Sequence, residues 1–417
     1  MKDGARAVVL VLAVFLTPLP TLIISGMEHT LQCLFAFLFI TRFSRWLEEK
    51  GGLPLSLAIY AMLLVGIRYE GLFLVFSACL MLLYHRKLGL SILLGAVALA
   101  PVVLFGVWSL AKGSYFLPNS VLVKSESVPF SLHGVMEWLN NTLVNKFTVV
   151  KAQPGLIGSP PPGISLQATQ RLLLILPLAF FIFRARMARV YRYFLILLTA
   201  GVLLHLAFAA TGWFYRYEAY LIFCSTILLS VLVEKYRVDV LQGARLWALL
   251  LVFALLFPWL LRSSAAYAKA RQSCLNIYGQ QYQMGRFLKA YHDKDTIAAN
   301  DIGAIGYQTN ARIVDLWGLG NIDVARSRKG GYWTPAFLDS LSHAQKVKLA
   351  IVFDEWFDPA LLHKWTRVAS WQISDNVICG SDVVVFYVLD RNEAPGLLRE
   401  LKDFEKELPA NTKATYY

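Results

Sequence analysis

Residues 55–84, LSLAIYAMLLVGIRYEGLFLVFSACLMLLY, are two apolar runs parted by the charged triplet Arg68-Tyr69-Glu70. A charge inside a membrane-spanning segment costs roughly 2.5–3.5 kcal/mol on insertion scales, so it usually faces a cavity, a partner or a substrate. The same triplet returns as Arg216-Tyr217-Glu218 within WFYRYEAYL, residues 213–221. Both interruptions therefore point to a site.

Working outward, hydrophobic residues make up 57% of the 417 and charged residues 16%, against about 45–50% and 25% in soluble proteins. Apolar runs fall near residues 7–25, 29–44, 53–67, 70–84, 88–110, 171–185, 191–211, 217–234 and 244–262. Counted one helix per run, they predict a polytopic α-helical membrane protein of about nine transmembrane helices, followed by a C-terminal soluble α/β domain. Several runs are shorter than the roughly 20 residues of a full span. The pair around Arg68–Glu70 can instead form one kinked hairpin entering from one face. Residues 1–25 also admit a secretory-signal reading, with Lys2 and Arg6 before an apolar stretch. The absence of an Ala-x-Ala site and the continuation through Pro18 and Pro20 favour a retained helix.

Lysines and arginines alternate between loops. Lys2, Arg6, Arg42, Arg45, Lys50, Arg86, Lys87, Arg184, Arg186, Arg189, Arg192, Lys235, Arg237 and Arg245 fall on one side, which the positive-inside rule makes cytoplasmic. Glu28 and both triplets then face outward. The formal net charge is +13, yet residues 265–417 hold 18 Lys and Arg against 17 Asp and Glu. The excess lies in the apolar part, which argues against nucleic-acid binding, where cations cluster on a soluble face.

These patterns divide the chain into residues 1–264, a transmembrane domain with an outward loop at 111–170, and residues 265–417, an exported α/β domain. The loop holds Pro118-Asn119, the run Pro160-Pro161-Pro162 and an amphipathic stretch over 131–148, fit either to lie on a membrane surface or to face a core. In the tail, a helix is expected near 276–292, strands at 296–299, 313–316, 349–353, 368–373 and 383–389, and helices near 335–345, 358–365 and 394–407. Cys33, Cys79 and Cys224 read as packing residues, whereas an oxidising compartment would permit Cys274 and Cys379 to pair. No CxxC, HExxH or Walker A pattern is present, and Gly318-Leu319-Gly320 is followed by Asp323 where a dinucleotide fingerprint needs Gly.

Short motifs in order carry a resemblance. Ser25-Gly26-Met27-Glu28-His29-Thr30, Arg68-Tyr69-Glu70-Gly71, Leu117-Pro118-Asn119-Ser120 with Lys124, and Arg216-Tyr217 are similar to signatures of bacterial GT-C superfamily membrane glycosyltransferases. In the tail, Asp301 through Tyr307 and Val314 through Leu319 resemble the exported-domain signature of that group. The likeness spans about residues 10–325 and looks greatest toward the terminal arabinofuranosyltransferases of the mycobacterial cell wall. Relatives begin with one more helix and a first outward loop bearing the acidic base, so the chain is expected to lack that start, to be completed by a separately encoded partner, or to use Glu28 or Glu70 instead.

The resemblance implies a multi-pass enzyme of the bacterial inner membrane with its C-terminal domain outside. It would pass a hexosyl or pentosyl unit from a polyprenyl-phosphate carrier to a cell-envelope glycan or lipid acceptor. Such transfer needs a carboxylate to activate the acceptor hydroxyl and cations to stabilise the departing phosphate. Glu28 and Glu70 are the catalytic candidates. Arg68, Lys124 and Arg216 are the donor-phosphate candidates, and Asn119, Tyr217, Asp301, Asp315 and Trp317 the substrate-binding ones. No metal ligand or cofactor is indicated, and a divalent metal stays open. The plainer readings are that the arginines pair with the glutamates as buried ion pairs, that His29 is an interface residue, that Trp213, Tyr215, Trp317, Tyr332 and Trp333 anchor or pack, and that Asp301 and Asp315 cap turns. The rival function is a non-catalytic homologue, a transporter or a lipid- and glycan-binding membrane protein.

Overall fold

The structure, a computed structural model, describes residues 3–49, 51–124, 187–209, 214–241 and 245–417. It divides into two compact units, Met1–Phe105 with Glu126–Ala268, and Gly106–Ser125 with Lys269–Tyr417. The stretch expected as a surface helix over 131–148, the proline run and the apolar run 171–185 lie outside the described residues.

The helices in chain order are α1 (Asp3–Leu16), α2 (Leu19–Ile24), α3 (His29–Trp46), α4 (Leu55–Ile67), α5 (Gly71–Tyr84), α6 (Leu88–Ala111), α7 (Asn119–Lys124), α8 (Arg189–Phe208), α9 (Ala219–Leu241) and α10 (Arg245–Ile277). All but α7 lie wholly or in part in the first unit. There α3 is the hub, packing against α4, α5, α8 and α9. Ala36, Phe39, Ile40 and Phe43 are fully buried, the i, i+3, i+4, i+7 spacing of a helix face turned into a core. Leu57, Ala61 and Leu64 on α4, and Leu74, Ala78 and Leu82 on α5, repeat the pattern.

The expectation of nine spans is overturned. Among the described residues only α6, of 24 residues, and α8, of 20, are long and apolar enough to cross a membrane. α4 has 13 residues and α5 has 14. At 1.5 Å per residue such helices reach about 20 Å, short of a hydrocarbon core of about 30 Å. An apolar run reads alike whether it packs on protein or on lipid, and one face of each short helix, Leu57, Ala61 and Leu64 on α4 and Leu74, Ala78 and Leu82 on α5, is buried against its neighbours. α4 and α5 instead meet as the hairpin that the sequence allowed, reversing at Arg68–Glu70.

The second unit is built on a six-stranded mixed sheet. Its strands are β1 (Thr296–Ala299), β2 (Arg312–Asp315), β3 (Leu349–Val352), β4 (Thr366–Ile373), β5 (Val383–Val388) and β6 (Thr412–Tyr416), in the order β2-β1-β3-β5-β4-β6. β2, β1 and β3 are parallel, with Ala298 paired to Val314 and Ala350. β5, β4 and β6 continue antiparallel. Further helices are α11 (Gln283–Tyr291), after a π-turn at Tyr278–Tyr282, then α12 (Gly303–Gln308), α13 (Ile322–Gly330), α14 (Pro335–Ala344), α15 (Pro359–Leu362) and α16 (Ala394–Phe404).

Phe287, Trp371, Phe386 and Phe404 pack on one face of the sheet, Val314, Val352, Trp365 and Tyr387 on the other. The five expected strands lie within about two residues of the observed ones, while β6, α12 and α13 were not foreseen. The chain leaves β1 for β2 on one side and then crosses to β3 on the other. That reversal makes the carboxyl ends of β1 and β3 the topological switch point of the parallel strands, the place where α/β sheets usually hold ligands.

Candidate functional site

The first triplet sits at the α4–α5 reversal because Arg68 leaves the helix in extended backbone (φ −152°, ψ 136°). Glu28 is the N-cap residue of α3 and Glu70 that of α5, so both carboxylates stand at helix N-termini, where negative charge is favoured. Arg68 joins them. Its Nη1 donates to Glu28 Oε1 at 2.6 Å, its Nη2 to Glu70 Oε1 at 2.6 Å and its Nε to Glu70 Oε2 at 3.2 Å. Burial pushes both carboxyls up, but the Arg68 guanidinium and backbone donors outweigh it and hold both below the ordinary carboxylate value. Glu28 is the more open of the two, with 37% of its side chain exposed against 21% for Glu70.

The second triplet reaches the same place through Tyr217. Its ring lies beneath two guanidinium groups, Arg68 at 5.5 Å and Arg216 at 5.2 Å, and its centroid is 6.1 Å from that of His29. Arg216 has no ion-pair partner among the described residues, and its buried Nε lacks a hydrogen bond. His29 and Gln32, one turn apart on α3, are fully buried, and none of their side-chain nitrogens and oxygens has a hydrogen-bond partner among the described residues. Buried polar groups are ordinarily satisfied, so the His29 ring nitrogens beside Tyr217 have bonding capacity left over.

The expected pairing of Arg216 with Glu218 does not form. Glu218 binds Arg262 of α10 at 2.8 Å, with both side chains 2% exposed. Arg262 also donates to the Tyr215 carbonyl and lies over the Tyr215 ring, 5.2 Å from its centroid. Phe214 and Tyr215 take φ of 56° and 62°, a left-handed pair that bulky residues adopt only when their surroundings impose it. Arg262 went unnoticed in the sequence because it closes an apolar run, where a cation reads as a helix end.

The remaining candidates fall in the second unit. Asp301, just beyond β1, accepts from Gln281 Nε2 at 3.0 Å, and burial raises its carboxyl above the ordinary value. Gln281 Oε1 in turn accepts from Cys379 Sγ at 3.2 Å. Asp315, at the end of β2, accepts the backbone N–H groups of Trp317, Gly318 and Gly320 at 2.8, 3.1 and 2.6 Å. Its acceptor capacity goes to shaping this loop, where Gly318 takes φ 90° against the Ala325 backbone.

Trp317 is enclosed rather than open, with the Arg328 guanidinium 3.9 Å from its centroid and Trp356 at 4.5 Å. Asn300 receives the Phe353 N–H on Oδ1, while its Nδ2 is buried without a partner among the described residues. Asn119 opens α7, which packs against α13, and its Oδ1 is likewise buried without a partner among the described residues. Lys124 is the last residue of α7. The segment 106–125 is tied down within this unit by Arg326, which donates to the Gly113 carbonyl at 3.0 Å, and by Lys329 over the Tyr115 ring.

Glu28, Arg68, Glu70, Arg216 and Tyr217 thus gather in one unit, and Asn119, Lys124, Asp301, Asp315 and Trp317 belong to the other. Cys274 and Cys379 are both free, Cys274 exposed and Cys379 buried, so no bridge joins them. Among the described residues no group of three or more His, Cys, Asp and Glu is placed to hold a metal ion. Residues 275–387 match a family described as a domain of unknown function, DUF8728. No curated protein and no solved structure matches the chain.

Proposed function

We propose that the protein is a membrane glycosyltransferase of the GT-C type, moving a sugar from a polyprenyl-phosphate carrier to a cell-envelope glycan or lipid on the outer face of the bacterial plasma membrane. The chain would cross that membrane more than once, with residues 265–417 outside. The observation that carries this reading is the cluster of Arg216, which has no counter-ion among the described residues, beside Tyr217 and the Glu28–Arg68–Glu70 group.

In the reaction the acceptor hydroxyl oxygen attacks the anomeric carbon and its proton passes to a carboxylate. The bond from that carbon to the phosphate oxygen breaks, and polyprenyl phosphate departs. Glu28 suits the carboxylate role best, since it is ionised and the more reachable of the pair. The Arg216 guanidinium has donors in reserve for phosphate oxygens, which Arg forks match bidentately. Arg68 is already engaged by two carboxylates and serves chiefly to place them.

A second reading, a non-catalytic protein that binds lipid-linked glycan, is favoured by that same engagement of Arg68. Purified full-length protein in lipid, given radiolabelled polyprenyl-phosphate sugars, separates the two. The first reading expects turnover, lowered by about 100-fold or more in Arg216→Ala, the scale of losing a charge-stabilising donor. Binding without turnover supports the second. Undiminished turnover in Arg216→Ala removes that residue from the site.

A further inference from the structure

A cavity of about 670 Å³ opens in the first unit between α1, α3, α8 and α9, lined in part by Arg6, Arg45 and Lys235. This lies far along α3 from Glu28, at its C-terminal turn. Its depth is apolar, formed by Phe37, Phe194, Ile227 and Val231. The volume falls in the roughly 300–1,000 Å³ of small-molecule sites. A greasy interior with a basic mouth selects an amphiphile, and the charge decides its sign. Among the described residues three cations line the cavity against one carboxylate, Glu234. Arg6 is engaged by Asp3 at 3.3 Å, with both side chains largely exposed, and Lys235 lies over the Tyr191 ring at 4.7 Å. Arg45 has no ion-pair partner among the described residues.

A second observation is independent of the charges. Thr41 and Ser44 also line the cavity, and Thr41 Oγ1 and Ser44 Oγ are buried with no hydrogen-bond partner among the described residues. Ser44 is fully buried. Serine and threonine within helices usually donate back to the carbonyl one turn earlier, as Ser225 and Thr226 do to Leu221 and Ile222 on α9. These two hydroxyls are left free to donate elsewhere. The first turns of α1 and α8 also lie at the cavity, through Arg6 and through Ala188, Val190 and Tyr191, and add the positive ends of two helix dipoles against the negative end of α3.

We propose that this cavity binds the phosphate headgroup of an anionic phospholipid. Arg45 and Lys235 neutralise the phosphate, Thr41 and Ser44 donate to its oxygens, and the acyl chain lies along Phe37, Phe194 and Val231. The site is separate from the Glu28–Arg68 cluster and stands whether or not the protein transfers sugar. Its position among the basic loops matches the anionic leaflet that attracts such residues.

The test uses the full chain in detergent with fluorescent phosphatidylglycerol as the probe. Unlabelled phosphatidylglycerol should compete at least 10-fold better than phosphatidylcholine. The variant Arg45→Glu with Lys235→Glu should bind the probe at least 10-fold more weakly, and Ser44→Leu should weaken it as well, while Arg86→Glu, a cation outside the cavity, should not. Circular dichroism and size-exclusion profiles establish that each variant is folded, and Thr41→Val, the mildest change, provides a measurement should the charge reversals misfold. Equal competition by phosphatidylcholine, or unchanged binding in the folded variants, overturns the proposal. Competition by glycerol phosphate as effective as that by phosphatidylglycerol overturns the assignment to a lipid.

Discussion

Replacing Arg262 by Met should cost the helical unit about 3–5 kcal/mol at pH 7, the range for removing one partner of a buried ion pair. The size follows from the surroundings of Glu218, which faces Arg262 at 2.8 Å with both side chains almost wholly out of solvent. Methionine keeps much of the volume, so packing changes little, but a carboxylate loses its counter-ion and the Tyr215 carbonyl loses a donor. The loss has a ceiling because the carboxyl can take up a proton. An ordinary glutamate, with pKa near 4.3, is neutralised at pH 7 for about 3.7 kcal/mol and at pH 5 for about 1 kcal/mol. The folded variant therefore binds a proton that its unfolded chain releases, and its deficit should shrink as pH falls. Hydrogen exchange read by mass spectrometry on peptides from residues 214–232, at both pH values, reports the opening free energy locally. Adding Glu218→Gln to Arg262→Met should restore stability to within about 1–2 kcal/mol of the native protein, since no charge is then stranded. A deficit below about 1 kcal/mol at pH 7, or one that is the same at pH 5, would refute the reasoning.

Gly71→Ala should destabilise the α4–α5 hairpin by about 1–3 kcal/mol, because a Cβ there would come 2.7 Å from the Leu64 carbonyl oxygen; thermal unfolding of the full chain checks it. Asp301→Asn should stabilise the sheet unit at pH 7. Burial raises the Asp301 carboxyl above 3.8, so its contribution to folding is best when neutral and declines as pH rises through the folded value. The gain in unfolding midpoint should fade as pH approaches 4, and a gain independent of pH would contradict this. Iodoacetamide should modify exposed Cys274 and spare Cys379 until the chain unfolds, as burial pushes the Cys379 thiol up to about 12; peptide mass mapping reads the difference.

Much of the sheet unit was legible because its strands announce themselves. Leu349–Val352 and Val383–Val388 are short β-branched or apolar runs bounded by polar turns, and they pair as β3 and β5. β6, with the sequence TKATY, has alternating burial but little hydrophobic signal, and only its pairing with β4 from Ala369 to Ile373 makes it a strand. α12 is hidden because it is six residues long and carries two glycines, Gly303 and Gly306, and α13 because its sequence IDVARSRKG is largely polar. The Asn321 cap, which accepts from the N–H groups of Asp323 and Val324, was the missed signal. The helical unit misled for another reason. Apolar periodicity reports burial and not the medium, so short helices packed on α3 were counted as spans.

The two identical triplets also show how far local sequence can carry a site assignment. Arg68 and Arg216 are each followed by Tyr and Glu, and a pairwise reading assigns each arginine to the glutamate two residues later. Only the first does so. Arg68 turns back in extended backbone after α4 and so faces Glu70 as a fork, with Glu28 arriving from α3. At the second triplet Phe214 and Tyr215 are held in left-handed conformations, Glu218 lies inward against Arg262, and Arg216 is left over Tyr217 with no counter-ion among the described residues. Arg262, 44 residues farther along, decides the difference by claiming Glu218. The same substitution should therefore act differently at the two triplets. Arg68→Ala strands two carboxylates and should harm folding first, whereas Arg216→Ala removes a cation that neutralises no carboxylate among the described residues and should act on ligand first.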